Sequence, residues 1–114
     1  MNTETLNALK QVNGQINQLH DELRDPSLPQ GEIGPIEDAI DALEAMRDIL
    51  IHEALQSMVD QLNQTNARLQ AVLTRMQGVS DRLDRISAAI RKVSDVISAL
   101  VQITQKAMSA GLLG

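Results

Sequence analysis

The sequence predicts an all-α protein, and three observations lead to that prediction. The chain of 114 residues contains no Phe, Trp or Tyr, whereas β-strands are normally rich in aromatic and β-branched side chains. All three prolines lie within residues 26–35, so the rest of the chain lacks this helix breaker. From residue 55 onwards, apolar residues recur at steps of three and four, which is the spacing of one helix face.

The first predicted element is an amphipathic helix over residues 1–24. Its apolar stripe consists of Leu6, Leu9, Ile16 and Leu23, widened by Val12 and Leu19. Residues 25–34 follow and contain two prolines and two glycines. Because proline lacks a backbone donor and glycine is conformationally free, this segment is predicted to be a loop.

A long helix is predicted from Pro35 to about residue 108, followed by a flexible tail over residues 109–114. Pro35 suits the first helical position, where its missing N–H would have no partner. Glu37, Asp38 and Asp41 place negative charge where the helix dipole favours it. We expect the first part of this helix to pack against residues 1–24 as a helical hairpin. The expected hairpin core is Leu6, Leu9, Ile16, Leu23, Ile36, Ile40, Leu43 and Leu50.

Beyond residue 55 the apolar positions keep a heptad phase for more than seven heptads, which is typical of a coiled coil. Leucines mostly occupy the a positions and branched residues the d positions, a pattern that disfavours a parallel dimer. A trimer, a tetramer or an antiparallel assembly is expected instead. The expected oligomer interface is Leu55, Met58, Leu62, Leu69, Val72, Met76, Val79, Leu83, Ile86, Ile90, Val93, Ile97 and Leu100.

A compact antiparallel three-helix bundle is the alternative architecture, because the long helix has two possible breaks. Residues 63–66 are weak helix formers, and residues 78–80 combine a glycine with a serine that can cap a following helix. A turn at either site would let the chain bury its own stripe. The heptads hold phase through both sites, which favours the continuous helix.

The net charge of −5 conceals a division between the two parts of the chain. Residues 1–60 hold 3 basic and 12 acidic side chains, whereas residues 61–114 hold 7 basic and 3 acidic ones. Two arrangements explain such a division: a basic segment that reaches for an anionic surface, or two parts that lie antiparallel and neutralise each other. The second is favoured because the basic residues are thinly spread. Nucleic acid is not an expected partner, since stacking aromatics are also absent.

No catalytic, cofactor-binding or metal-binding residue is expected. His52-Glu53 begins like a zinc-protease motif, but position 56 is Gln, so the second histidine ligand is missing. Serines and threonines are plentiful, yet none lies in a nucleophile elbow or a glycine-rich phosphate loop. The sequence therefore predicts a protein that is not an enzyme.

The leading functional expectation is self-association combined with the scaffolding or tethering of protein partners. One alternative is a membrane-active helix in residues 86–114, which carry few charges and end in Ala-Gly-Leu-Leu-Gly. Another is a small helical regulator that binds and masks a partner protein. The amino terminus lacks the pattern of a signal peptide, so a cytoplasmic location is expected, with signal-independent secretion left open.

Overall fold

The computed structural model describes residues 3–52 and 54–111, over which the chain forms four α-helices and no β-strand. They are α1 (Thr3–Leu23), α2 (Gln30–His52), α3 (Leu55–Met76) and α4 (Asp81–Ser109). α1 and α3 each pack against both α2 and α4. The result is an up-down-up-down bundle whose Cα atoms extend 51 by 22 by 17 Å. The all-α prediction is confirmed, and the bundle has four helices where the alternative architecture had three.

The single helix predicted for residues 35–108 is three helices in the structure. A helix of that length would span about 110 Å and leave its apolar stripe in water, whereas folding back buries the stripe within one chain. One reversal falls at residues 77–80, which include the break at residues 78–80 that the alternative architecture considered. α3 runs without interruption through residues 63–66, and a reversal that the sequence did not predict separates His52 from Leu55.

Local chemistry accounts for the reversal between α3 and α4. Gly78 has φ +79, a left-handed conformation that other residues rarely adopt. Its N–H donates to the Asp84 carboxylate at 2.8 Å. The Ser80 hydroxyl accepts from the Leu83 N–H at 3.1 Å and caps α4. Residues 77–80 thus contain both a helix stop and a helix start.

α2 begins at Gln30, five residues before the predicted start at Pro35. The predicted loop over residues 25–34 is correspondingly shorter, because residues 30–34 are helical and Pro35 lies inside the helix. A tertiary contact holds this added turn: Glu32 is buried, and its carboxylate accepts a hydrogen bond from the Ser80 hydroxyl at 3.0 Å. At the other end of the chain, α4 continues to Ser109, and the last three residues of the predicted tail lie outside the described residues.

The interior of the bundle contains most of the residues that the heptads predicted for an oligomer interface. Eleven of those thirteen side chains are buried within the single chain, Leu55 is half-buried and Val79 is exposed. The buried ones are Met58, Leu62, Leu69, Val72, Met76, Leu83, Ile86, Ile90, Val93, Ile97 and Leu100. Because these residues already have intramolecular partners, the stripe by itself no longer requires a second chain.

The buried face of α1 is rotated from the one that the sequence predicted. It is centred on Ala8, Val12 and Leu19, while Leu9 and Leu23 are half-buried and Leu6 is exposed. The rotation arises because α1 packs against two helices, so its core face points between α2 and α4. The other members of the predicted hairpin core are buried as expected: Ile16, Ile36, Ile40, Leu43 and Leu50.

A buried polar network links α3 to α4 near the middle of their length. The Asn66 amide donates to the Ser98 hydroxyl at 3.0 Å, and the Ser94 hydroxyl donates to the Asn66 side-chain oxygen at 2.7 Å. Gln70 donates to the Ser94 hydroxyl at 3.3 Å. Sliding one helix along the other would leave the buried Asn66 and Ser94 side chains without these partners, so the network favours one register of the two helices.

Replacing Asn66 with Ala is expected to lower the free energy of unfolding by about 1–2 kcal/mol, because buried hydrogen bonds are lost. Asn63→Ala is the matched control, since Asn63 is exposed on the same helix and undergoes the same change in helix propensity. The control should stay within about 0.5 kcal/mol of the parent chain. Urea unfolding followed by far-ultraviolet circular dichroism measures both values, and equal effects of the two substitutions would contradict a role for the network.

Candidate interaction surface

The two ends of the bundle differ in chemistry. At one end, which we call the ion-paired end, α1 and α3 finish while α2 and α4 begin. At the other, which we call the open end, α1 and α3 begin while α2 and α4 finish. Among the described residues, the ion pairs that join different parts of the chain all lie toward the ion-paired end.

Arg82 is the centre of the ion-paired end. Its guanidinium donates to the Asp25 carboxylate at 2.8 Å, to the Ser27 hydroxyl at 3.3 Å and to the Glu22 carboxylate at 3.4 Å. Arg85 donates to the other carboxylate oxygen of Glu22 at 2.9 Å. These charge-assisted hydrogen bonds attach the end of α1 and the following loop to the first turn of α4.

The pKa of the Asp25 carboxyl in this cluster is lowered. The backbone N–H and the hydroxyl of Ser27 donate to its carboxylate at 2.9 and 2.8 Å. Together with the hydrogen bond from Arg82, they lower the pKa of Asp25 from 3.8 to about 2. Each of these donors stabilises the charged form, so the cluster is bound most firmly when Asp25 is ionised.

A further ion pair joins α2 to α3. Arg75 donates to the Asp38 carboxylate at 2.8 Å, with both side chains about half exposed. Every inter-element ion pair of the described residues therefore joins a carboxylate from residues 22–38 to an arginine from residues 75–85. This is the neutralising arrangement that the charge division of the sequence favoured.

The open end exposes large apolar side chains. Leu6 is 44% exposed, Ile51 46%, Ile103 51% and Met108 37%. They come from the start of α1, the end of α2 and the end of α4, so they surround this end of the bundle. The only other exposed large apolar side chain of the described residues is Val79, which lies at the ion-paired end.

Two shallow grooves open between helices near these side chains. Met108 lines one of them, between α3 and α4, together with Val59, Asp60 and Gln105. Ile103 lines the other, between α1 and α4, and its neighbours there are Glu4, Asn7, Val96, Ala99 and Leu100. Both grooves combine apolar side chains with amides and one carboxylate. This chemistry suits contact with another protein surface better than capture of a small molecule.

The two histidines of the chain lie far apart in the structure. His20 lies near the end of α1 and His52 at the end of α2, so the two histidines are at opposite ends of the bundle, and both are exposed. Within residues 3–52 and 54–111, no group of three histidine or carboxylate side chains is arranged to hold a metal ion.

The segment proposed for membrane contact, residues 86–114, has most of its apolar face inside the bundle. Ile86, Ile90, Val93 and Ile97 are buried, and residues 112–114 lie outside the described residues. No helix in the described part of the chain combines the length and hydrophobicity needed to cross a bilayer. Ile103 and Met108 are the large apolar side chains of α4 that remain exposed.

The open end has a partial signal in the amino-acid sequence. Ile103 and Met108 occupy positions that flank the heptad seam, where they broaden the apolar stripe toward the end of the chain. A broad apolar stripe is typical of a helix that packs against more than one neighbour. Leu6 belongs to the predicted hairpin core, and the exposure of Leu6 and Ile51 depends on how the four helices meet.

Comparisons of the chain with protein-family models, with curated proteins and with solved structures find no match.

Acidification is expected to weaken the ion-paired end through Asp25. Because the pKa of Asp25 is about 2 in the folded chain and 3.8 is its ordinary value, its contribution to stability is complete above about pH 4. The contribution is lost as the pH falls toward about 2. Asp25→Asn should therefore destabilise the chain at neutral pH and show a smaller further loss of stability between these two pH values.

The control is Asp48→Asn, which removes an exposed carboxylate near the open end. Urea midpoints at a series of pH values measure the difference between each variant and the parent chain. If Asp25→Asn and the parent chain lose stability in parallel throughout the acidic range, then Asp25 does not contribute in this way.

Proposed function

We propose that the chain is a non-enzymatic protein that self-associates through its open end and scaffolds or tethers protein partners in the paired form. One observation carries this proposal. Four of the five exposed large apolar side chains of the described residues surround the open end, while the opposite end is closed by ion pairs. A surface whose apolar groups are collected at one place is the kind that other proteins cover.

A second copy of the chain is the partner that fits the open end in size. The bundle measures 22 by 17 Å across its Cα atoms. With side chains added, its end presents on the order of 700 Å², close to the roughly 800 Å² that each partner contributes to a standard interface. Two open ends meeting face to face would form a closed two-fold contact, the commonest symmetry of soluble oligomers.

The charges at the open end also allow two copies to approach. Residues 3–10, 46–52, 54–60 and 103–111 together hold three acidic and three basic side chains. The acidic ones are Glu4, Asp48 and Asp60, and the basic ones are Lys10, Arg47 and Lys106. The described part of the open end is therefore neutral, although the whole chain has a net charge of −5. Neutrality with both signs present favours contact between identical surfaces.

The paired form would leave the sides of each bundle free for other proteins. The outer face of α2 carries acidic side chains at steps of four and three residues, which places them in one row: Glu37, Asp41, Glu44 and Asp48. Most of this row lies away from the open end. A dimer would present two such acidic rows. Each row could bind one partner protein, so the dimer would hold two partners together.

Replacing both Ile51 and Ile103 with Ser is expected to weaken self-association by about tenfold or more, because each copy loses two exposed apolar groups from the contact. Size-exclusion chromatography with light scattering and refractive-index detection over a range of concentrations measures the effect. Refractive index is required because the chain contains no Trp or Tyr.

Val79→Ser is the matched control, since Val79 is 57% exposed at the ion-paired end. The dissociation constant of the dimer should be the same for this control as for the parent chain. A parent chain that stays monomeric at every concentration would contradict the proposal, and so would equal weakening by the control. Flotation with phosphatidylcholine–phosphatidylglycerol vesicles tests the lipid alternative: binding that is lost in the Ile51/Ile103 variant would assign the open end to a membrane surface instead.

A further inference from the structure

The connection between α2 and α3 has no local signal for the reversal that it makes. α2 ends at His52 and α3 begins at Leu55, so two residues separate antiparallel helices. Ala54 is the N-cap of α3, with φ −69 and ψ 152, and its side chain makes no capping hydrogen bond. Alanine is among the poorest residues at an N-cap and the best inside a helix.

The other two connections are encoded locally. Residues 24–29 include Pro26 and Pro29, and residues 77–80 include Gly78 in the left-handed conformation and the capping Ser80. Between residues 36 and 77, by contrast, the sequence contains neither glycine nor proline. Local propensity around residues 51–56 therefore favours one continuous helix, and packing between helices imposes the reversal.

That packing joins two halves of opposite charge. We call α1 with α2 the N-hairpin and α3 with α4 the C-hairpin. Residues 3–52 hold ten acidic and three basic side chains, whereas residues 54–111 hold seven basic and four acidic ones. The ion pairs of Asp38, Glu22 and Asp25 with Arg75, Arg82 and Arg85 all join one hairpin to the other. An N-hairpin is thus complementary to any C-hairpin, whether that belongs to its own chain or to a second copy.

We propose that two copies of the chain associate by exchanging their N-hairpins. In the exchanged dimer, α2 and α3 form one helix from Gln30 to Met76, about 70 Å long. Each N-hairpin then packs against the C-hairpin of the second copy through the contacts described above. The two forms differ mainly at the junction, and a short junction that opposes local propensity favours such exchange.

The exchanged dimer brings the open ends together. The junction lies at the open end, so two four-helix units that share continuous α2–α3 helices must face each other there. Ile51, Ile103 and Met108 would then lie between the two units. This inference rests on the proposed self-association through the open end, and it specifies the route by which the two copies pair.

A cross-linking experiment distinguishes exchange from simple docking. The chain contains no cysteine, so Asp38→Cys together with Arg75→Cys introduces one thiol on each hairpin at neighbouring positions. The variant is refolded at high concentration, its dimer fraction is isolated, and a short bis-maleimide is added. Exchange predicts covalently linked dimers on a denaturing gel, because each linked pair comes from two chains.

The matched control places both thiols on the C-hairpin. Thr74 and Arg91 line one groove between α3 and α4, so Thr74→Cys with Arg91→Cys should give links within one chain in either form. After cross-linking, the isolated dimer of this control variant should run as monomers on the denaturing gel. Covalent dimers of the control variant would show that links form between docked copies without exchange.

Ala54→Pro provides an independent test of the junction. The observed φ of Ala54 already suits proline, whereas proline inside a continuous α2–α3 helix would remove a hydrogen bond and clash with the preceding turn. The variant should therefore fold as a monomer with unchanged helix content, and its exchanged dimer should weaken by on the order of 100-fold for each of its two continuous helices.

The outcomes separate the two proposals. A dimer that yields only links within one chain, and that Ala54→Pro leaves intact, overturns exchange while retaining self-association through the open end. A parent chain that is monomeric at every concentration overturns both. Covalent dimers from the Asp38/Arg75 pair, absent from the Thr74/Arg91 pair and lost in Ala54→Pro, support exchange.

Discussion

Each helix of this bundle has to bury a long aliphatic stripe, because the chain contains no aromatic ring to fill a core from a single position. One buried aromatic side chain removes roughly 150–250 Å² of apolar surface from water. Without aromatic side chains, a larger number of smaller side chains must be buried to remove the same area. The interior is accordingly a narrow column of Leu, Ile, Val, Met and Ala. The radius of gyration, 15.0 Å, exceeds the roughly 13 Å of a compact globule of this length. The elongated shape and the two chemically different ends follow from that column.

The features that the sequence predicted well are those set by neighbouring residues. The apolar stripe depends on spacing and is predicted directly. The reversal at Gly78 and Ser80 has a local signal, but it enters only the alternative architecture, because the unbroken heptad phase favours a continuous helix. The reversal beside Ala54 has no comparable signal in the neighbouring residues, because packing between helices imposes it. The burial of Asn66 has no local signal either, because its partners, Ser94 and Ser98, lie on a different helix. The candidate surface was predicted only in part for the same reason: whether Leu6 or Ile103 is covered depends on which helix lies beside it.

The two ends of the bundle have different roles: the ion-paired end favours one arrangement of the helices, and the open end supplies apolar contact area. Ion pairs of Arg75, Arg82 and Arg85 join the N-hairpin to the C-hairpin and favour this arrangement of the helices. They lie at the solvent boundary, where such pairs contribute little to stability individually but penalise pairing of two acidic hairpins. Exposed aliphatic groups at the open end have no such selectivity. They supply contact area, which is the property that the proposed self-association needs.

The separation of these contacts along the chain also sets the order in which they can form. The polar network between α3 and α4 joins residues 24 to 32 positions apart, whereas the hydrogen bonds between the hairpins span 37 to 63 positions. Closing longer loops costs more chain entropy, so each hairpin can assemble before the two hairpins dock. We therefore expect docking to be the last folding step, and under the proposed exchange its outcome would depend on the local density of unfinished chains. Crowded synthesis on one messenger would favour partners from neighbouring ribosomes, and dilute refolding would favour the chain's own C-hairpin.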